Sequence, residues 1–319
     1  MTSFGYTIMG EQAGPKQLVR DAVAAEAAGF DFLAASDHYF PWLEEQGHSP
    51  YVWSVLGAVA QATRRIDLMT YVTCPTQRYH PAIVAQKAAT IQLLCDGRFT
   101  LGLGAGENLN EHVTGDAWPQ LDVRHDKLRE ALDIIVALFG GETLTYRGEY
   151  LQTENAKLWD LPDELPGIAL AVSGPRSCEI AGRQADAMIA VEPDPALGEL
   201  FDASGGTGKA RIGQVALCYD ADESSARERA REQFRWSLGG WHVNAELPSP
   251  QSFDGASETV TEEDVAEQIP CGPDLDAHVA AVQQFLDAGF THVALVQIGG
   301  EAQGPFLEWA EHELLPALR

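Results

Sequence analysis

The sequence predicts an α/β protein folded as a closed (β/α)8 TIM barrel, on three observations. Eight short apolar runs punctuate the 319 residues, helical stretches separate most of them, and no internal repeat or linker divides the chain. Runs this short suit buried strands rather than helices, and strands alternating with helices build parallel sheets. One barrel with insertions accounts for the length, so residues 1–319 are read as a single domain.

Residues 4–9 alternate and form the first strand. Gly14-Pro15 breaks the chain before an Ala-rich helix over about residues 16–28, which Gly29 closes. Phe32-Leu33-Ala34-Ala35 is the second strand and leads into Ser36-Asp37-His38-Tyr39-Phe40-Pro41-Trp42. A helix over about 52–63 precedes a third strand at 66–72; Pro81 opens a helix ending near Asp96-Gly97, and 99–104 is the fourth strand. The beat returns with a strand at 168–172, a helix at 175–184, strands at 187–191 and 213–219, and a charged helix at about 224–235. A helix at 276–288 precedes the last strand, 292–298, and a final helix ends at Leu318.

Two stretches interrupt this order. Residues 142–160 contain a hairpin pattern, with Thr143-Leu144-Thr145-Tyr146 and Glu149-Tyr150-Leu151 flanking Arg147-Gly148. Residues 239–261 are rich in Gly, Ser, Pro and acids and show neither helical nor strand periodicity, which predicts a mobile loop or a lid.

Composition narrows the function. The chain carries 47 Asp plus Glu against 21 Lys plus Arg, a net charge of −26 that repels nucleic acid and anionic membranes. No run reaches the length of a membrane span and the first residues lack a signal-peptide pattern, so the expectation is a cytoplasmic protein with a small-molecule substrate. Cys74, Cys95, Cys178, Cys218 and Cys271 are odd in number without C-x-x-C spacing, which suggests neither a disulfide framework nor a zinc site. No H-E-x-x-H occurs among the histidines, and no metal is expected.

Chemistry concentrates where strands end. Ser36 to Trp42 places an acid, an imidazole and an indole directly after the second strand, the end at which barrels gather reactive groups. After the fourth strand, Gly102-Leu103-Gly104-Ala105-Gly106-Glu107-Asn108-Leu109-Asn110-Glu111 fails the dinucleotide fingerprint, because Glu107 takes the place of its last glycine. Its small residues still admit close approach of a flat ligand, with Glu107 either facing the pocket or capping a short helix from Leu109. Gly205-Gly206-Thr207-Gly208-Lys209 lacks the first Gly and final Ser or Thr of a phosphate loop and reads as a surface turn. Asp37 and Glu107 together also permit a glycosidase, with His38 and Trp42 binding sugar.

Four segments, Ser36-Asp37-His38, Tyr71-Val72-Thr73-Cys74-Pro75-Thr76, Gly104 to Glu111 and Ser173-Gly174-Pro175, resemble in order and spacing the coenzyme F420-dependent oxidoreductases. These belong to the luciferase-like superfamily, and the likeness is to the glucose-6-phosphate dehydrogenase branch, over about residues 4–189. The resemblance implies a luciferase-like barrel, usually a homodimer, holding the deazaflavin at its C-terminal mouth. On the matching positions, it implies that Asp37 contacts the ring and that Tyr71-Val72 is a non-prolyl cis peptide pressed against the ring's face. Cys74, Ala105, Gly106, Asn110, Ser173 and Gly174 would lie along the ring and its phosphate-bearing tail. Glu107 matches the acid that gives the ring a proton, Trp42 an indole over the reacting centre, and Glu11, in Gly10-Glu11-Gln12, an acid that orients His38. A hydride acceptor gathers negative charge, so an acid nearby lowers the barrier, and an imidazole titrating near neutrality suits the base that takes the alcohol's proton.

The chain departs from that branch at the substrate, where Val191, Asp194 and Glu267 are expected. Asp194 and Glu267 stand where the branch has lysines that clamp a phosphate, and an arginine near the final loop is replaced within Gln303-Gly304-Pro305. Anions in place of cations repel a phosphate dianion. The expectation is an F420-dependent dehydrogenase or reductase acting on a CH–OH group that bears no phosphate. The alternatives are an FMN-dependent luciferase-like monooxygenase, the glycosidase, and a non-enzymatic F420-binding protein.

Overall fold

Strand-length runs become the staves of a closed barrel in the computed structural model, which describes residues 2–319. The staves are β1 (Ser3–Ile8), β2 (Phe32–Ala35), β3 (Asp67–Thr70), β4 (Phe99–Leu103), β7 (Gly167–Ala171), β8 (Ala187–Ala190), β9 (Ala210–Leu217) and β10 (His292–Gln297). All pair in parallel, and β1 closes the ring against β10 with Ser3 opposite His292 and Tyr6 opposite Leu295. The remaining two strands, β5 (Leu144–Arg147) and β6 (Gln152–Ala156), form an antiparallel hairpin outside it.

Side chains alternate across each stave, which divides the core in two. Phe32 and Ala34 of β2 fill the barrel with Met69, Ala169, Ile189, Ile212 and Ala294. Leu33 and Ala35 of the same strand face outward, into the layer where Leu56, Leu68, Leu101 and Leu132 pack beneath the helices. The helical layer begins with α1 (Pro15–Ala28), which has Pro15 in its first turn and is ended by Gly29 at φ +92°, a left-handed conformation that favours glycine. It continues through α2 (Val52–Ala62), α3 (Pro81–Leu94), α4 (Asn108–Glu111), α5 (Leu121–Phe139), α6 (Pro175–Gln184) and α7 (Pro195–Phe201).

Between β9 and β10 the chain makes a helical excursion that we call the roof. It comprises α8 (Glu223–Phe234), α9 (Trp241–Asn244), α10 (Pro250–Ser257) and α11 (Glu262–Gln268), before α12 (Leu275–Asp287) rejoins the barrel. After β10 come α13 (Gln303–Trp309) and α14 (Leu315–Leu318). The expectation of irregular chain over residues 239–261 is therefore corrected. These helices are too short to show a period and are set instead by their caps: Ser249 accepts from the Ser252 N–H with Pro250 beside it, and Thr261 and Asp264 form a capping box. No helix among the described residues is long and apolar enough to cross a membrane.

The hairpin is tied to the barrel by one carboxylate. Glu130 of α5 accepts the backbone N–H groups of Glu149, Tyr150 and Leu151 at 2.7, 3.0 and 2.8 Å. Glu130→Ala leaves three donors without a partner and is expected to destabilise the protein by about 2 kcal/mol. A lower urea midpoint at unchanged slope is the check, and a midpoint equal to the parent's would refute the assignment.

Candidate active site

The rim beyond the C-terminal strand ends is built by the segments that follow β1, β2, β3 and β4. Glu11 follows β1, Ser36 to Trp42 follow β2, Tyr71 to Tyr79 follow β3, and Gly104 to Glu111 follow β4. Short staves end abruptly, so these side chains converge while the layer below holds their backbones.

His38 is the centre of the group. Its Nδ1 lies 3.2 Å from the Phe40 carbonyl oxygen and 3.2 Å from Glu11 Oε1, while Nε2 lies 3.0 Å from Glu107 Oε1. Both ring nitrogens thus face acceptor oxygens, an arrangement that favours the doubly protonated ring. Glu11 is fully buried and is fixed by the Ser36 hydroxyl, which donates to Oε2 at 2.5 Å. Burial lowers the His38 pKa, but the charges of Glu11 and Glu107 overcome it and push the value up to about 9. The expectation of an imidazole titrating near neutrality is corrected by this second carboxylate: at pH 7 His38 is an imidazolium. His38 and Glu107 are in direct contact.

Trp42 continues the stack outward. Its ring centroid lies 4.7 Å from that of His38 and 4.0 Å, nearly parallel, from that of Trp236 in the roof. Gln46 holds the loop in place, accepting the Trp42 N–H at 2.8 Å and donating to the Gln233 carbonyl of α8 at 3.1 Å.

Asp37 has a different part. Only 2% exposed, it accepts at Oδ2 from Trp53 Nε1 at 3.1 Å and from the Thr73 hydroxyl at 2.6 Å. At Oδ1 it accepts from the Tyr79 hydroxyl and Arg78, each at 3.2 Å. The glycosidase reading fails here, because a carboxylate held by four protein donors is not placed to protonate or attack a sugar. Arg78 also approaches Glu111 Oε1 at 3.5 Å, and Glu111 accepts the Arg78 backbone N–H at 2.8 Å. Burial nevertheless raises Glu111 to about 7. This buried lattice of Asp37, Arg78 and Glu111 fixes the β3 and β4 segments to each other.

The other sequence candidates divide into inward and outward groups. Asn110 is buried: its carbonyl accepts the Tyr39 and Phe40 N–H groups at 2.7 and 3.1 Å, and its amide donates to Glu107 Oε1 at 2.5 Å. It thus orients Glu107 and closes the turn carrying His38. Cys74 is buried and burial raises its thiol pKa, which makes it inert. The Tyr71–Val72 peptide is cis, and both side chains are half-buried with Ala105 and Gly106. Ser173 is exposed beside Gly174, at the start of α6. Val191 is exposed, Asp194 caps α7 through the Ala196 N–H, and Glu267 lies exposed on α11. Arg78, Tyr79, Trp53, Thr73 and Trp236 were not anticipated. Arg78, a rare cation in the segment after β3, is the one that left a legible signal.

A barrel with its acids and imidazole gathered on this rim defines a class, and comparison with known proteins agrees. A family model described as luciferase-like monooxygenase matches residues 2–292, and the chain belongs to this luciferase-like family. Within it, the chain belongs with the F420-dependent dehydrogenases. It is 34% identical over 332 aligned positions to the F420-dependent glucose-6-phosphate dehydrogenase of Amycolatopsis mediterranei, covering 100% of this chain and 99% of that protein. It is 38% identical over 292 positions to the F420-dependent hydroxymycolic acid dehydrogenase of Mycobacterium tuberculosis, covering 89% and 80%. Among solved structures, an F420-dependent secondary alcohol dehydrogenase in complex with an F420–acetone adduct superposes with a TM-score of 0.90 at 27% identity, covering 100% and 99%.

Proposed function

We propose that this enzyme moves a hydride between coenzyme F420 and a phosphate-free alcohol or carbonyl compound, with His38 and Glu107 handling the proton. The relatives support the cofactor and the CH–OH chemistry. The observation that carries the rest is one buried imidazole between two carboxylates.

The rim suits a flat ring with a tail. Gly106 takes φ +84° with Cys74 Sγ 2.7 Å from where a Cβ would stand, so the backbone there is as thin as it can be. Nothing lies within 4 Å of a Cβ built on Gly174. Tyr71, Val72, Ala105, Gly106, Ser173 and Gly174 would hold the cofactor, which when bound supplies a carbon that accepts or returns the hydride.

The chain's own groups move one proton. At neutral pH it sits on His38 Nε2, 3.0 Å from Glu107 Oε1. Passing it to Oε1 leaves Nε2 free to accept the hydroxyl proton of an alcohol and leaves Glu107 an acid. Glu107 would then give its proton to the reduced cofactor, so that of the two protons now on the pair one leaves and one remains on Nε2. In the opposite direction the Nε2 proton goes to a carbonyl oxygen, as microscopic reversibility requires.

Both directions should therefore lose rate as pH rises through about 9, where His38 surrenders the shared proton. A lone imidazole base predicts the reverse for alcohol oxidation, a rate that climbs through that value. Glu11→Gln should move the limb to lower pH, since it removes one of the two charges that raise His38. Profiles of kcat/KM for both directions decide between the schemes.

The substrate assignment rests on the cations. Arg235 is held by Glu45 at 3.0 Å, by Asp254 at 2.7 Å and by the Glu232 carbonyl. Lys209 donates to the Gly182 and Ala185 carbonyls at 2.7 and 2.8 Å, at the far end of β9 from the rim. Gln303 is buried, accepting from Tyr6 and donating to the Gln297 and Gly299 carbonyls. None of these is free to clamp a phosphate, and Asp194 and Glu267 are exposed acids. The test is anaerobic mixing with oxidised F420 and alcohols or sugars with and without phosphate, following bleaching of the band near about 420 nm.

A further inference from the structure

Cys218 and Cys271 stand side by side where the roof leaves the barrel and where it returns. Cys218 directly follows β9; its N–H donates to the Pro270 carbonyl at 2.9 Å, and the Gly272 N–H donates to the Cys218 carbonyl at 3.0 Å. The two cysteines are thus register partners in a short parallel pairing, and both thiols are free. Paired strands run about 4.8 Å apart, inside the window of about 4.4–6.8 Å between Cα atoms that disulfides occupy. Register partners also project their side chains to the same face.

The environments of the two sulfurs differ in a useful way. Cys218 is fully buried and Cys271 is half-exposed, so a small oxidant can reach only the second. Hydrogen bonding with Cys218 lowers the Cys271 pKa, and Arg227 and Arg229 favour its thiolate further against burial and Glu223. The same bond, with burial, raises that of Cys218 despite Arg229 beside it, whose Nη1 lies 3.6 Å from the Cys218 sulfur. Cys271, whose thiol donates to the Ile269 carbonyl at 3.3 Å, is the more accessible of the two, and Cys218, donating to the Ala226 carbonyl at 3.2 Å, is the sheltered one.

We propose that Cys218 and Cys271 form a reversible dithiol–disulfide site that a peroxide oxidises, stapling the two ends of the roof together. The Cys271 thiolate attacks a hydrogen peroxide oxygen; the O–O bond breaks, hydroxide leaves and takes up the proton the thiol had released to become water, and Cys271 becomes a sulfenic acid. The Cys218 sulfur, giving up its proton, attacks that sulfur; the S–O bond breaks, a second water leaves, and the S–S bond forms. Two thiols lose two electrons and two protons, and the peroxide is reduced to two waters. The staple closes the loop of residues 219–270, which carries Trp236 over the catalytic rim. It depends on no assumption about the substrate.

The intact protein is treated with equimolar hydrogen peroxide, alkylated, and digested without reductant for mass spectrometry. The expected product is a peptide pair joined through Cys218 and Cys271, lighter by two hydrogens and separated by dithiothreitol. In Cys218→Ser, dimedone should trap a sulfenic acid at Cys271; in Cys271→Ser, Cys218 should stay unmodified. The proposal is overturned if the unaltered protein keeps both thiols, or if Cys271 proceeds to sulfinic acid while Cys218 remains free. The unaltered protein alone decides this, whether or not the serine variants fold.

Discussion

His38→Ala should lower kcat for alcohol-driven F420 reduction by about 10²–10⁴-fold, the usual contribution of a positioned acid–base group. The loss should appear in single turnovers, which separate the chemical step from product release. Cofactor affinity, followed by F420 fluorescence, should change little, because His38 contacts acids and an indole rather than the glycine-lined part of the rim. The variant leaves Glu11 and Glu107 facing each other without the cation between them, so added imidazole should restore part of the rate. A drop smaller than about threefold would remove His38 from the proton-transfer step.

Glucose 6-phosphate should be a poorer substrate than a phosphate-free secondary alcohol by about 10²-fold in kcat/KM. A like charge at about 4 Å costs about 1 kcal/mol in water and about 4 near a protein surface, and each 1.4 kcal/mol is about a factor of ten. If Asp194 and Glu267 stand where the resembled branch has its phosphate-clamping lysines, two acids beside a bound dianion would reach that penalty without any steric term. Asp194→Lys combined with Glu267→Lys should raise the phosphate ester's kcat/KM and leave that of the neutral alcohol near its starting value. Equal efficiency with the two substrates would end the charge argument, even with relatives in hand that are named for the phosphorylated sugar.

The barrel was legible because its staves are short, apolar and followed by turn residues; β2 falls on residues 32–35 as read from the sequence. The helix α5 is absent from the strand–helix order read from the sequence, although Leu128, Ala131, Leu132, Ile135 and Leu138 recur at helical spacing and are all buried; the hairpin β5–β6 separates it from the next stave and breaks that order. Of the roof, α8 falls on the predicted charged helix, but α9, α10 and α11 have four to eight residues, which gives periodicity nothing to accumulate over, and only their caps mark them. At the site, residue type announced chemistry but not direction. Asp37 and Glu107 both follow strands, yet one turns into a lattice of donors and the other toward His38. That choice is made by Trp53 on α2 and by Thr73, Arg78 and Tyr79 in the segment after β3, whose partnership no local pattern marks.

The roof also grips the segment that bears the acid. The Asn108 N–H donates to the Ala245 carbonyl and its side chain to the Glu246 carbonyl, both at 3.0 Å, while the Glu246 carboxylate takes Trp118 and Arg124. Glu107 is the residue before Asn108. Any displacement of Ala245 and Glu246 would therefore pull on the backbone beside the carboxylate that contacts His38, and the expected result is that weakening this grip, as in Asn108→Ala, disturbs the aim of Glu107.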